Sequence, residues 1–387
     1  MKKLHLLLLF LFLAVAAQAQ TNAPARWDTN KATAWYKKQP WLFGSNYNPA
    51  NAINQLEMFQ ADSFDPATID KELAWAESLG VNTARVYLHD LLWQDPAGFT
   101  KRLDQFLSIC AKHKIRPMLV LFDSCWDPHP ALGKQRDPQP GIHNSGWVQS
   151  PGADALTDVS QYPRLEAYVK GVVGAFKNDP RILMWDVWNE PDNTNGNSYG
   201  KNHLNREPAN KVAIVTRLLP EVFKWARSVN PTQPLTSGVW IFSKDRDMSK
   251  PENWTPMEKV QFVNSDITTF HHYADVESFE RVIKELKAQG RPLICTEFMA
   301  RGADSKFQTH LPVAKKYDVG MINWGFVAGK TQTYIPWDSW QNPYVNGREP
   351  SVWFHEILKQ DGTPVDEEEI TAIKAATGKL KKAAAAY

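Results

Sequence analysis

The stretch Arg181-Ile182-Leu183-Met184-Trp185-Asp186-Val187-Trp188-Asn189-Glu190-Pro191-Asp192 governs how the rest of the chain is read. A short apolar run ends abruptly in Trp-Asn-Glu-Pro, and the turn-rich segment 193–200 follows. An apolar run bounded by turn residues reads as a buried strand. This one delivers a carboxylic acid beside an amide at a loop mouth, an arrangement suited to handling sugars. It also calls for a second carboxylate elsewhere in the chain.

Outward from it, the same kind of run recurs. Segments 41–47, 81–88, 115–122, 181–188, 234–240, 266–272, 291–297 and 319–326 read as strands. Between them, 66–79, 97–113, 161–177, 206–229, 276–289 and 305–318 read as helices, with a weaker one at 256–263 and a last one at 349–360. Asp65-Pro66 supplies a cap and a first-turn proline, and Gly80 ends that helix. Strict alternation of strand and helix predicts a parallel sheet, and a count of eight predicts a closed (β/α)8 TIM barrel in a single domain. An open doubly wound sheet is the alternative, but no Gly-rich phosphate turn follows the first strand. In a barrel the chemistry sits on the loops after the strands. The longest of these is 123–160, and its Trp126, His129, His143 and Trp147 read as one wall of a cleft.

Composition narrows the partners. Net charge is +2, and no basic run precedes the C-terminal tail, which disfavours nucleic acid and anionic lipid. Lys2, Lys3 and the apolar run 4–17, followed by Ala17-Gln18-Ala19, make 1–19 a secretory signal peptide and not a membrane anchor. The mature protein is therefore expected to be secreted or periplasmic, without a membrane anchor, and monomeric. Residues 20–40 read as an extension packing on the barrel, 41–362 as the barrel and 363–387 as a terminal helix and tail. The three cysteines, Cys110, Cys125 and Cys295, lack paired short spacing, so neither a disulfide framework nor a metal site is expected.

Glu190 closes the fourth apolar run and Glu297 closes the seventh, Pro292-Leu293-Ile294-Cys295-Thr296-Glu297. A carboxylate ending an apolar strand is costly to bury unless it is paired. Arg85, closing the run Val81-Asn82-Thr83-Ala84-Arg85-Val86, is a partner that would keep Glu297 ionised. His271 and His272 have no carboxylate or cysteine at ligand spacing, so no metal or other cofactor is expected there. Trp93, Trp126, Trp147, Trp188, Trp240, Trp254, Trp324, Trp337 and Trp340 follow predicted strands and are candidates for stacking on sugar rings. Within 329–337, Lys330 and Gln332 are placed to reach a hydroxyl, and His89 is a further subsite candidate.

With these residues in view, the chain resembles a clan A retaining glycoside hydrolase, most similar to family 5, the cellulase and mannanase group. Asn189-Glu190-Pro191 after the fourth strand matches the acid/base motif, and Glu297 after the seventh matches the nucleophile. Asn82-x-x-Arg85, His271-x-Tyr273 and Trp324 match the strand-two arginine, the His-x-Tyr after strand six and the tryptophan floor under the reacting sugar. The resemblance implies double displacement on a β-linked poly- or oligosaccharide. Glu190 would be the proton donor, its pKa raised by a neighbouring negative charge, and Glu297 the nucleophile. Arg85, Asn189, His271, Tyr273 and Trp324 would bind substrate, and Trp126 and His89 join them as candidates from their positions after the third and second strands. An endo-β-1,4-glycanase is favoured. An exo-acting β-glycosidase, a transglycosylase and a non-catalytic carbohydrate-binding barrel are the alternatives. One difficulty is local: neighbouring strand residues face opposite ways, so Asn189 and Glu190 share a pocket only if the strand twists or bulges.

Overall fold

In the computed structural model, which describes residues 24–196 and 207–380, each of the eight apolar runs contains a parallel strand. They are β1 (Phe43–Asn46), β2 (Thr83–Tyr87), β3 (Met118–Val120), β4 (Met184–Asp186), β5 (Leu235–Thr236), β6 (Thr268–His271), β7 (Leu293–Glu297) and β8 (Gly320–Trp324). The ladder runs β5-β4-β3-β2-β1-β8-β7-β6. The remaining seam, between β5 and β6, is stitched by a bridge from Val239 to Phe270, with His271 N–H donating to the Val239 carbonyl at 2.9 Å. The result is a nearly closed (β/α)8 barrel. Strands covered on both faces need no polar alternation, which is why they read as continuous apolar runs.

The helices are α1 (Thr29–Tyr36), α2 (Gln55–Phe59), α3 (Pro66–Leu79), α4 (Pro96–Lys112), α5 (Ala153–Thr157) and α6 (Tyr162–Phe176), followed by α7 (Lys211–Ser228), α8 (Pro256–Asn264), α9 (Val276–Lys287), α10 (Phe307–Lys316) and α11 (Glu367–Thr377). Their starts follow local chemistry. Asp65 accepts from the Ala67 and Thr68 amides ahead of α3, and Thr255 with Glu258 forms a capping box on α8. The weakly patterned 256–263 is thus a real helix, held by its cap.

The extension before β1 plugs the bottom of the barrel. Ala32 and Tyr36 of α1 pack on Leu42, Met118, Met184, Ile294 and Ile322, all buried. Burying one such Leu, Ile or Met contributes about 1.5–3 kcal/mol, so this layer anchors the strands from below and leaves their opposite ends free for chemistry. The expected signal peptide, 1–19, lies outside the described residues. Among the described residues no helix is long and apolar enough to cross a membrane.

One expected element is absent. Residues 349–360 form no helix; the chain there is irregular, with Glu356 in the left-handed region at φ 53°. Its backbone groups are taken by distant partners. Phe354 N–H donates to Tyr334, and Ile357 and Leu358 N–H both donate to Phe326. The Arg301 guanidinium caps the carbonyls of Trp353, His355 and Glu356. A segment satisfied by such long-range bonds does not need helical ones.

Candidate active site

The ladder of β4 ends at Asp186, but the chain keeps tracking β3, with Asn189 N–H donating to the Phe122 carbonyl at 2.8 Å. Glu190 then turns into the left-handed region at φ 40°. This bend resolves the strand-parity difficulty, because it lets the Asn189 and Glu190 side chains enter one cavity. Glu190 Oε2 accepts from Asn193 Nδ2 at 2.7 Å and from the Cys125 thiol at 3.3 Å. Its Oε1 lies 2.8 Å from His271 Nδ1.

Glu297 ends β7 on the facing side. Its Oε1 accepts from Arg85 Nη1 at 2.8 Å and from the Tyr87 hydroxyl at 3.1 Å. Its Oε2 accepts from the Tyr273 hydroxyl at 2.8 Å and lies 3.5 Å from the same His271 Nδ1. One imidazole therefore stands between the two carboxyls. Among Glu190, His271 and Glu297, one ligand atom of each lies within 4.8 Å of the others.

Arg85 is wholly buried and holds this side of the site rigid. Besides Glu297 it donates to Asp186 Oδ2 from Nη2 at 2.7 Å, to Asn189 Oδ1 at 2.7 Å and to Asn46 Oδ1 at 2.9 Å. Burial works against its charge, but Tyr87, Asp186 and Glu297 outweigh it and hold the guanidinium protonated.

The two carboxyls differ in their surroundings. Burial pushes Glu190 up to about 7, against the hydrogen bonds from Asn193 and Cys125. The cause differs from the expected one: desolvation leads, and the neighbouring charge that adds to it is Asp192. Burial also raises Glu297, and Glu190 adds to the rise, while His271, Arg85 and the Tyr273 hydroxyl oppose it. Burial drops His271 to about 4, so at neutral pH it is an uncharged imidazole. Burial thus favours the protonated form of both carboxyls, and at Glu297 Arg85 and the Tyr273 hydroxyl work against it.

That cavity has a volume of about 470 Å³ and is lined by Glu190, Glu297, Asn189, Tyr273, Trp324 and Trp126 of the expected set. Asn189 has both ends of its amide engaged, accepting from Arg85 and donating to Asp123 Oδ1 at 2.9 Å. Trp126 stacks on Trp340, with ring centres 5.2 Å apart and planes at 13°. Trp240, Trp337 and Trp340 also line the space, and Trp240 Nε1 donates to Asp192 at 2.8 Å. The other candidates pack elsewhere. Trp188 is buried with its Nε1 on Ser124, Trp147 donates to Asp123, Trp93 packs on Phe99 and Tyr168, and Trp254 packs on Phe262.

Three further expectations need correction. His89 does not line the cavity; it is fully buried and its Nδ1 accepts from the Leu91 amide, capping the turn Asp90–Gln94. His129 lies in a separate surface hollow beside Asp90 and Arg164, whereas His143 does line the cavity. Lys330 pairs with Glu57, and Gln332 bonds the Gln139 carbonyl, so both serve the loop itself. The reasoning against a metal at His271 also changes, because the fold brings in two carboxylates that sequence spacing placed far away. Arg85 already supplies a positive charge at 2.8 Å from one of them.

Sequence reasoning missed Asp186, Asp123, Tyr87 and Asn193. Asp186 carried a signal: a carboxylate inside an apolar strand must be paired, the argument applied to Glu297.

The model of the family Cellulase (glycosyl hydrolase family 5) matches residues 54–343. No curated protein matches the chain in sequence. In fold it is similar to the endo-β-1,4-mannanase from Thermotoga petrophila, at 13% identity, over 91% of this chain and 80% of that one, with a TM-score of 0.55. It is likewise similar to the endo-1,4-β-mannanase from Rhizomucor miehei, at 14% identity, over 94% and 99%, with a TM-score of 0.55. A third similar structure is the exo-β-1,4-mannosidase from Opitutaceae bacterium strain TAV5, at 19% identity, over 93% and 62%, with a TM-score of 0.54. Matched over most of its length, the chain belongs to the cellulase family, glycosyl hydrolase family 5, and is a glycoside hydrolase.

Proposed function

We propose that this is an exported, retaining β-glycoside hydrolase acting on β-1,4-linked, mannose-containing saccharides. The observation that carries the mechanism is the closeness of the two carboxyls, whose oxygens lie within 4.8 Å of each other around His271. Retaining enzymes hold this pair about 5–5.5 Å apart, whereas inverting ones leave room for a water at about 6.5–9.5 Å. Ionised Glu297 attacks the anomeric carbon while protonated Glu190 gives its proton to the departing glycosidic oxygen, leaving a glycosyl ester on Glu297. Glu190, now a carboxylate, takes a proton from water as the water oxygen attacks the same carbon and displaces Glu297. Neutral His271 steadies Glu190 without competing for its proton. The sugar class is supported only by analogy with the mannan-acting enzymes of similar fold. Export is supported by the charge and hydropathy pattern of residues 1–19.

The test is Glu190→Ala. Turnover of saccharides with poor leaving groups should fall by about 10²–10⁴-fold. Activated aryl glycosides should lose far less in their first step, and added azide should restore rate as a β-glycosyl azide. Equal losses on both substrates without azide rescue would overturn the assignment.

A further inference from the structure

The mouth of the barrel is built unevenly. β3, β2, β1 and β8 are consecutive in the sheet, and the loops after β3 and β8 meet above the pair between them. Asn144 N–H donates to the Thr331 carbonyl at 2.8 Å, and Tyr344 N–H donates to the Gly141 carbonyl at 2.9 Å. Gly141 N–H donates to Gln332 Oε1 at 3.1 Å, while Gln332 Nε2 donates to the Gln139 carbonyl at 2.8 Å. The His143 amide donates to Ser339 Oγ at 3.0 Å. The loop after β1 is laced into the same wall, since Lys330 N–H donates to the Ala50 carbonyl at 2.9 Å. Contact there is so close that a Cβ on Gly329 would lie 2.2 Å from the Ala50 oxygen.

This wall stands at one definite end of the site. The proton donor Glu190 faces Asn193 and Cys125, on the β4 side, so the departing group lies over that side, towards Asp192 and Trp240. The sugar attacked by Glu297 then rests on Trp324, towards β8 and β1. A second sugar on its non-reducing side would have to continue over β1 and β2. The space there is a hollow of only about 20 Å³ among Asn46, Tyr47, Trp147 and Thr333. That is room for about one water molecule, not a pyranose ring.

We infer that the enzyme is exo-acting: it accepts one terminal sugar at the non-reducing end and releases it as a monosaccharide, because the laced β1, β3 and β8 loops close the cleft behind Trp324. This rests on the assignment of Glu190 and Glu297 as donor and nucleophile, which fixes the direction of the substrate. It replaces the endo cut favoured by the sequence.

The test compares 4-nitrophenyl β-D-monosides of mannose, glucose, galactose and xylose, then the β-1,4-bioside of whichever sugar is cleaved. The monoside should release nitrophenol at once. The bioside should release free monosaccharide first, and nitrophenol only after a lag. Immediate nitrophenol release from the bioside, at a rate above that of the monoside, would overturn the inference. So would failure to cleave any monoside while β-1,4-linked pentasaccharides are cut; the glycosidase reading would then stand and the exo inference would fall. If neither monosides nor pentasaccharides are cleaved, both fall together.

Discussion

Arg85 shows how much chemistry one buried side chain can impose. It sits between Asp186 and Glu297, both out of solvent, and supplies the cation that opposes the burial-driven rise of the Glu297 carboxyl. Activity needs Glu190 protonated, so kcat/KM should fall as pH rises through about 7, the value to which burial lifts that carboxyl. It also needs Glu297 ionised, so kcat/KM should fall again as pH drops through that group's own pKa. Because Arg85 lowers the pKa of Glu297 and also that of Glu190, Arg85→Ala should move both the acid and the alkaline limbs to higher pH. The same change strands two buried carboxylates and should cost about 3–5 kcal/mol in denaturant unfolding. An acid limb that stays in place in the variant would contradict the role given to Arg85. Glu190, Glu297 and Arg85 were legible as a cluster because each lies at the end of, or inside, an apolar run, where a charge demands a reason. His89 also follows such a run, but its ring turns back to cap its own turn, and sequence does not encode that rotation.

At the scale of elements, segment 353–358 illustrates where periodicity misleads. Val352, Phe354, Ile357 and Leu358 space their apolar groups in a way compatible with a helix, yet the backbone is held open by Arg301. That guanidinium also pairs with Glu369 of α11, at 2.8 Å from Nε to Oε1, tying the segment to the terminal helix. Phe354 and His355 in turn pack against Trp337 and Tyr273, so the segment supports one wall of the cavity. Arg301→Ala should therefore speed hydrogen exchange at the amides of Phe354, Ile357 and Leu358 while the β-strands stay protected. Catalytic rate should drop at the same time, because Tyr273 loses the support that aims its hydroxyl at Glu297. Unchanged exchange at those three amides would show that the segment is held by other contacts. Strand and helix positions, by contrast, were readable because their determinants are local: caps, first-turn prolines and buried apolar runs.

At the scale of the whole molecule, the barrel brings residues more than 200 positions apart to within hydrogen-bonding distance, as with Arg85 and Glu297. The order of strands in the sequence suffices to place Glu190 and Glu297 facing one another across the barrel mouth. It is not enough to foresee the joined β1, β3 and β8 loops, whose bonds each have a backbone group on at least one side, and backbone groups carry no sequence signal. The central claim is that the two carboxyls act by double displacement, and it makes a stereochemical prediction. Proton NMR of the first sugar released from an aryl β-glycoside, read before mutarotation, should show the β anomer. An α anomer as the first product would contradict the account.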